Sequence, residues 1–226
     1  MRDKIRQFDE ALADALGRWN IPLSRRQQEQ FRCHYDALLR ANRQFNLTRI
    51  TDPGEVAVKH CADSLAVILW VEHQGIPVRT VLDVGTGGGF PAVPLAIMRA
   101  EWAVTALDAK RKKVGFLTQT TQAMHLHNLY PTHGHTNHWD SGRVYDLVIS
   151  RAVGTLATCL RRGRHVVSPN TWLLTFKSTP LSNDELCASR KTAAQLHFRE
   201  YKPFSYTLDC AGEILHRAVH VHKLLA

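Results

Sequence analysis

"LDVGTGGGFP", residues 82–91, is the stretch of this chain that decides its fold. The apolar residues 78–85 predict a buried strand, and residues 90–99 predict a helix. The loop between them has four glycines in five positions. Because glycine lacks a Cβ, this loop lets a ligand approach the backbone at the free N–H groups of the helix N-terminus. The stretch therefore predicts a ligand-binding turn from a strand into a helix.

Strands and helices alternate along the chain from about residue 76. The alternation predicts an α/β fold with a doubly wound, mainly parallel sheet and a terminal antiparallel strand. We therefore divide the chain into an N-terminal helical region, 1–75, and an α/β core, 76–226. The further strands are predicted at 102–108, 145–152, 171–177 and 213–225, and the further helices at 109–126, 155–163 and 183–198.

The first 75 residues have a helical pattern instead of an alternating one. Apolar residues at helical spacing predict helices at 3–18 and 24–44, and Ser24 is suited to cap the second. A third helix is predicted to begin after Asp52, with Glu55 completing a capping box.

Composition limits the compartment and the partners. Lysine and arginine number 29 against 20 aspartate and glutamate, a formal net charge of +9, which favours a polyanionic partner such as nucleic acid. A basic enzyme without such a partner remains the alternative. The longest apolar run, 65–71, is too short to span a bilayer, and the N-terminus resembles no export signal. The five cysteines never form a C-x-x-C pair, so we expect a cytoplasmic protein with reduced thiols.

The glycine spacing favours one ligand class over another. Dinucleotide-binding loops read G-x-G-x-x-G, and the sixth position counted from Gly85 is a phenylalanine. Counted from Gly87, the sixth position is Ala92, which such loops tolerate, so a dinucleotide stays open. The pattern D-x-G-x-G-x-G beginning at Asp83 fits without exception and favours a ligand with an amino acid end, such as S-adenosylmethionine.

Asp108 and the basic run after it extend the predicted site. Asp108 ends the second strand, where a carboxylate accepts hydrogen bonds from both hydroxyls of a ribose, or caps the next helix. The run that follows lies at a helix start, where the macrodipole disfavours cations, so a phosphate backbone or a solvated face must account for it. The predicted RNA contacts in this run are Lys110, Arg111, Lys112 and Lys113.

Five motifs together resemble a known family. They are "NLT" (46–48), "KHCADS" (59–64), "DVGTGGGFP" (83–91), "LDAKRKKVGFL" (107–117) and "ISRA" (149–152). In order and spacing they resemble the RsmG (GidB) family of bacterial 16S rRNA guanine-N7 methyltransferases, over nearly the whole chain. The resemblance implies a class I, Rossmann-like methyltransferase fold with a helical N-terminal extension. It also implies methyl transfer from S-adenosylmethionine to N7 of a guanine in the decoding-region loop.

The resemblance also implies a set of cofactor residues. One segment departs from the family, which usually reads Ser-Arg-Ala/Val-Glu after a strand that the family has between 108 and 134, whereas this chain has "GHTN" at 134–137. An asparagine in the place of the glutamate still offers a carbonyl oxygen to the adenine amino group. The implied cofactor residues are Asp83, Gly85, Thr86, Gly87, Phe90, Asp108, Thr136, Asn137 and Arg151.

The implied chemistry needs alignment rather than a base. Guanine N7 carries a lone pair and no proton, so methylation is a direct in-line displacement promoted by proximity and orientation. Arg151 is suited to donate two hydrogen bonds to guanine or to the cofactor carboxylate, and Lys59 and His60 to meet phosphate. Local capping is the alternative for 59–64. The residues expected to contribute to catalysis are Arg151, Asn46, His60 and Asp63.

Two groups of histidines suggest a metal, but no acidic or cysteine partners accompany them. A polar loop at 133–138 and an exposed face carrying His216, His220 and His222 explain them, so we predict no metal. We expect a monomer that acts on 16S rRNA or the small ribosomal subunit. Two other functions stay open: a non-catalytic RNA-binding or ribosome-assembly protein with a relic cofactor pocket, and a nucleotide-linked oxidoreductase.

Overall fold

The computed structural model describes residues 2–139 and 142–225, without the side chain of His138. The N-terminal region forms helices α1 (Arg2–Gly17), α2 (Arg25–Asn42), α3 (Pro53–Glu55), a π-helix (Val56–Ala62) and α4 (Ala66–Gln74). The core begins with β1 (Thr80–Val84), α5 (Ala92–Met98), β2 (Ala103–Asp108), α6 (Arg111–Ala123), β3 (Leu129–His133), a 3₁₀ turn (Thr136–His138) and β4 (Leu147–Arg151). It ends with α7 (Leu156–Arg164), β5 (Trp172–Ser178), α8 (Asn183–Gln195), β6 (Phe198–Cys210) and β7 (Glu213–Leu224).

The strands of the described chain form one sheet in the order β3-β2-β1-β4-β5-β7-β6. The first five strands are parallel, and β7 lies antiparallel to both β5 and β6. This confirms the predicted α/β fold with a mainly parallel sheet. Strands β2 and β3 are added outward on one side of β1, and β4 and β5 on the other side. The order of the strands therefore reverses between β1 and β4, which is where such sheets bind ligands.

The N-terminal helices pack onto the same core as the sheet. One buried cluster unites Phe8 of α1, Phe31 of α2, Val56 of the π-helix and Leu117 of α6. A second, smaller cluster lies on the other face of the sheet around Leu82. The division at residues 1–75 and 76–226 stays a prediction.

The start of α2 confirms one predicted cap. Ser24 Oγ accepts from the Gln27 N–H at 3.3 Å, and the Gln27 amide oxygen accepts from the Ser24 N–H at 2.9 Å. Asp52 caps α3 as predicted, at 3.0 Å from the Glu55 N–H. The Glu55 carboxylate, however, accepts from Lys59 at 2.6 Å instead of completing the expected capping box.

Two other predictions need correction. The third helix is not continuous, since Val56–Ala62 winds as a π-helix before α4 begins. The helix predicted at 183–198 ends at Gln195, because His197 adopts a positive φ of 59° and Phe198 begins β6. The sequence pattern does not predict β6, an edge strand whose polar residues alternate with few buried ones.

No helix in the described part of the chain is both long and apolar enough to cross a membrane.

Candidate functional site

The glycine loop after β1 is a tight turn that only glycine fits. Gly85, Gly87 and Gly89 have φ values of 76°, 61° and 94°. A Cβ on Gly89 would lie 2.6 Å from Val93 Cγ2 and 2.8 Å from Leu117 Cδ2. The loop therefore brings bare backbone to the carboxyl end of β1, as the sequence predicts.

Asp83 and Thr86 lie behind this loop with unused polar atoms. Asp83 is fully buried, and its Oδ2 accepts from the Ala92 N–H at 3.2 Å. Among the described residues, Asp83 Oδ1 and Thr86 Oγ1 have no partner other than each other, and their mutual contact falls short of regular hydrogen-bond geometry. Burial raises the pKa of Asp83 to about 7, and the Thr86 side chain and the Ala92 N–H oppose this only in part. The pair is suited to a ligand that brings a donor to the turn.

Asp108 ties the loop to the start of α6. Its Oδ2 accepts from the Gly87 N–H at 3.0 Å, and its Oδ1 accepts from the Lys110 N–H at 2.9 Å. The Lys113 ammonium lies 3.7 Å from Oδ2. Each carboxylate oxygen has a second lone pair, so both remain able to accept from ribose hydroxyls. The two interpretations of Asp108, ligand contact and local capping, are therefore compatible.

A cavity of about 360 Å³ lies beside Asp108, and we call it the cofactor cavity. Of the implied cofactor residues, Gly85, Asp108 and Thr136 line it. Thr136 is buried at the start of the 3₁₀ turn, whereas Asn137 is exposed and does not line the cavity. The other lining residues that matter here are Lys113, Ala152, Val153 and Arg162.

A second cavity of about 310 Å³, the acceptor cavity, adjoins the first. Ala152, directly after β4, lines both cavities. The acceptor cavity is formed by the π-helix and Asp63 after it, the ends of β4 and β5, and the first half of β7. Its polar residues include Lys59, His60, Asp63, Arg151, Lys177 and Arg217.

Arg151 joins β4 to the π-helix. Its Nη1 donates to the Lys59 carbonyl at 3.1 Å and to Asp63 Oδ2 at 2.9 Å, and its Nη2 donates to His60 Nδ1 at 3.0 Å. Its guanidinium carbon lies 5.5 Å from the centre of the Phe90 ring. The structure thus brings together Arg151, His60, Asp63 and Phe90.

His60 and Asp63 are held by further partners. His60 Nε2 lies 2.9 Å from Thr48 Oγ1, and the imidazole lies 4.7 Å from the Phe90 ring. Burial lowers the pKa of His60 to about 3, with the positive charge of Arg151 adding to the effect. Tyr206 on β6 donates to Asp63 Oδ1 at 2.7 Å.

Asn46 is exposed and lines neither cavity. Asn42 organises its segment instead, accepting from the Leu47 and Thr48 N–H groups at 2.8 and 3.0 Å. The role expected of Asn46 stays a prediction, and Thr48 is the residue of this motif that contacts His60.

The predicted phosphate-binding cations differ in exposure. Lys110, Arg111 and Lys112 are exposed at the start of α6, whereas Lys113 is turned toward Asp108. Lys59 is paired with Glu55 at 2.6 Å and lies 3.9 Å from Glu213. Their contacts with RNA stay predictions.

The exposed face expected for the β7 histidines is wrong for two of them. His216 is exposed, but His220 and His222 are buried, and none of their ring nitrogens has a hydrogen-bond partner among the described residues. Among all the described residues, no three His, Cys, Asp or Glu side chains are grouped as a metal site. The side chain of His138, which belongs to the predicted polar loop, is not among the described atoms.

Sequence reasoning missed four residues of this site: Asn42, Thr48, Tyr206 and Arg217. The motif "NLT" marked the place of Thr48 but not its partner. Tyr206 and Arg217 act across the fold and Asn42 acts within its own segment, and the sequence around them carries no pattern that marks them.

Comparison with known proteins gives one consistent result. Residues 27–206 match the model of the family described as GidB, rRNA small subunit methyltransferase G. A relative of that name from Thermosynechococcus vestitus is 47% identical over 143 residues, covering 61% of this chain and 62% of the relative. Another, from Leuconostoc citreum, is 32% identical over 218 residues, covering 95% and 91%.

Solved structures agree on the fold. The magnesium protoporphyrin IX methyltransferase from Synechocystis, solved with bound SAH, superposes with a TM-score of 0.58 at 15% identity. The match covers 84% of this chain and 94% of that one. A likeness at this identity supports the class I methyltransferase fold alone.

Proposed function

The chain belongs to the rRNA small subunit methyltransferase G (GidB) family, and from that premise we propose that it methylates N7 of a guanine in the decoding-region loop of 16S rRNA. The methyl donor is S-adenosylmethionine, and the transfer is a direct in-line displacement. The observation that carries the proposal is that the cofactor and acceptor cavities meet at Ala152. Family membership favours this function over the nucleotide-linked oxidoreductase.

The cofactor cavity fits an adenosyl ligand with an amino acid end. Asp108 has lone pairs for ribose hydroxyls, and Thr136 also lines the cavity. The oxygens of Asp83 and Thr86 that have no partner beyond this pair lie behind the glycine turn, where they suit a donor group. When bound there, S-adenosylmethionine supplies an electrophilic methyl group.

Arg151 orients the acceptor at the edge of its cavity. A guanidinium has five N–H donors, and the contacts with Lys59, Asp63 and His60 use three of them. Two donors therefore remain for the guanine. Because the other three are fixed and Phe90 lies against the group, the remaining two have a defined direction.

No residue of the acceptor cavity needs to act as a base, because guanine N7 has no proton to lose. The low pKa of His60 keeps its imidazole neutral at physiological pH, so it neither takes a proton nor adds a positive charge. The contribution of His60 and Asp63 is to hold Arg151 in place.

The proposed rRNA substrate also indicates the binding partner and the cellular compartment of the protein. We propose that the protein acts as a monomer on the small ribosomal subunit or its rRNA, in the cytoplasm, where ribosomes assemble. Sedimentation of the protein with and without subunits tests the first statement.

The deciding experiment uses small subunits that lack their N7 methylation and methyl-labelled S-adenosylmethionine. We expect label on N7 of one guanine of the 16S rRNA, mapped by cleavage at the modified base. Asp108→Asn should weaken cofactor binding and labelling together. Asp184→Asn, which changes an exposed carboxylate in the first turn of α8, is the matched control and should behave as the wild type.

Two results would overturn the proposal. Cofactor binding without label on any subunit would favour the relic-pocket alternative. Label on another RNA would support methyl transfer from S-adenosylmethionine but would exclude 16S rRNA as the substrate.

A further inference from the structure

Arg217 is a second guanidinium at the acceptor cavity. It lies on β7, beyond residues 27–206 that match the family model, and it lines the acceptor cavity but not the cofactor cavity. Its side chain is 22% exposed, which leaves it in contact with solvent at the cavity edge. The function proposed above does not use it.

The charges around Asp63 do not balance. Its carboxylate lies 2.9 Å from Nη1 of Arg151 and 3.9 Å from Nε of Arg217. The third group on Asp63 is the Tyr206 hydroxyl, which donates as a neutral phenol. Two guanidinium groups therefore share one negative charge in a site from which water is partly excluded, and one positive charge has no counter-ion among the described residues.

The neighbouring lysines of this cavity do not share that excess. Lys59 has Glu55 at 2.6 Å, and Lys177 has Glu185 at 2.6 Å. Each lysine thus has a carboxylate of its own within the described residues. The uncompensated charge belongs to the Arg151–Arg217 pair, and Arg151 is the member in closer contact with Asp63.

Arg217 also keeps donors for a ligand. Its Nη1 donates to Ser178 Oγ at 3.0 Å and to the His216 carbonyl at 3.3 Å. The Nε contact with Asp63, at 3.9 Å, is an ion pair too long for a hydrogen bond. Nη2 and Nε remain, and they form one edge of the guanidinium, the arrangement that binds two phosphate oxygens at once.

We propose that Arg217 binds a backbone phosphate of the rRNA segment that carries the acceptor guanine. The anion is supplied by the acceptor rather than by the cofactor carboxylate, because Arg217 lines only the acceptor cavity. This inference rests on the proposed function. It divides the work at the cavity between Arg151, which meets the base, and Arg217, which meets the backbone.

The test is the salt dependence of the methylation kinetics for Arg217→Gln. One lost phosphate contact should lower the slope of log KM for the RNA against log salt by about 0.7 to 0.9. KM at low salt should rise about tenfold, the usual scale for one charge-assisted hydrogen-bonded contact. The kcat and the dissociation constant of S-adenosylmethionine should stay unchanged, which a general loss of structure would not allow.

Two variants make the result specific. Arg217→Lys keeps the charge and should keep the wild-type slope, although with a higher KM because it cannot bind two oxygens side by side. Arg199→Gln removes an exposed charge on β6, away from both cavities, and should change the slope less than Arg217→Gln does.

The outcomes separate this inference from the function itself. If the wild type methylates the subunit and Arg217→Gln retains its full salt slope, the phosphate contact is wrong and the function stands. If the wild type does not methylate the subunit, both are wrong. A change of slope equal in Arg217→Gln and Arg199→Gln would also overturn the contact, because it would reflect net charge alone.

Discussion

Nδ1 of His60 lies 3.0 Å from Nη2 of Arg151, closer than the 3.2 Å to the Lys59 carbonyl, and the shorter, charge-assisted contact assigns the ring proton to Nε2. A guanidinium only donates hydrogen bonds, so Nδ1 must accept. The neutral ring then has its proton on Nε2, which donates to Thr48 Oγ1 at 2.9 Å. Thr48 therefore orients the ring of His60, and His60 in turn orients Arg151.

Thr48 provides the first prediction. Its Oγ1 accepts from His60 and from the Ile50 N–H at 3.0 Å, so the hydroxyl holds the imidazole that in turn holds Arg151. Thr48→Val should lower kcat/KM for the RNA about tenfold, the scale of one hydrogen bond in a site of fixed geometry. Calorimetry should show unchanged binding of S-adenosylmethionine.

Thr48→Ser keeps the hydroxyl and should restore most of the activity. Thr51→Val, at an exposed threonine nearby, is the control for the change of side chain. Equal kcat/KM values for Thr48→Val and the wild type would show that the hydroxyl has no role in orienting Arg151 through His60.

His222 provides the second prediction. Burial lowers its pKa to about 4, and an unfolded histidine titrates near 6.5. Between these values the unfolded chain binds the proton and the folded chain does not, so the contribution of His222 to stability falls as pH falls from about 6.5 to about 4. His222→Leu should flatten this part of the stability curve, measured by urea unfolding at several pH values.

His127→Leu, which changes an exposed histidine, should leave the same curve unaltered. Unfolding midpoints of His222→Leu that follow the wild type at every pH would contradict the assignment.

The sequence predicts the parts of the site that depend on neighbouring residues. The glycine turn and Asp108 belong to continuous segments in which spacing alone restricts the structure. The contact between Arg151 and Asp63 joins residues 88 positions apart, and no local pattern carries that information. The π-helix is equally hidden, because one extra residue in a turn changes the direction of Lys59 and His60 without changing the apolar composition. The burial of His222 depends on a distant segment in the same way, since its ring lies 6.3 Å from that of Phe198 on β6.

Asp83 provides the third prediction. Its pKa in the folded protein is about 7, above the value near 3.9 of an unfolded aspartate. The folded chain therefore holds the proton between about pH 4 and pH 7 while the unfolded chain has lost it. The contribution of Asp83 to stability without cofactor should fall as pH rises through this range and level off above it. Asp83→Asn should remove this component, seen as a difference in urea midpoint that grows from pH 5 to pH 7.

The comparison with the wild type isolates Asp83, since the histidines of low pKa are the same in both proteins. A difference that does not vary with pH would mean that the buried carboxylate is ionised throughout.

Gly89 provides the fourth prediction, with a second glycine as its control. A Cβ at Gly89 would meet Val93 and Leu117 at 2.6 and 2.8 Å, and the φ of 94° disfavours any side chain. Gly89→Ala should therefore destabilise the fold by about 2–4 kcal/mol, from overpacking and backbone strain together. Gly115→Ala lies in α6 with nothing within 4 Å of the added Cβ, and should stabilise by about 1 kcal/mol. Thermal unfolding of the two variants should thus shift in opposite directions, and a Gly89→Ala variant as stable as the wild type would show that the turn can open without cost.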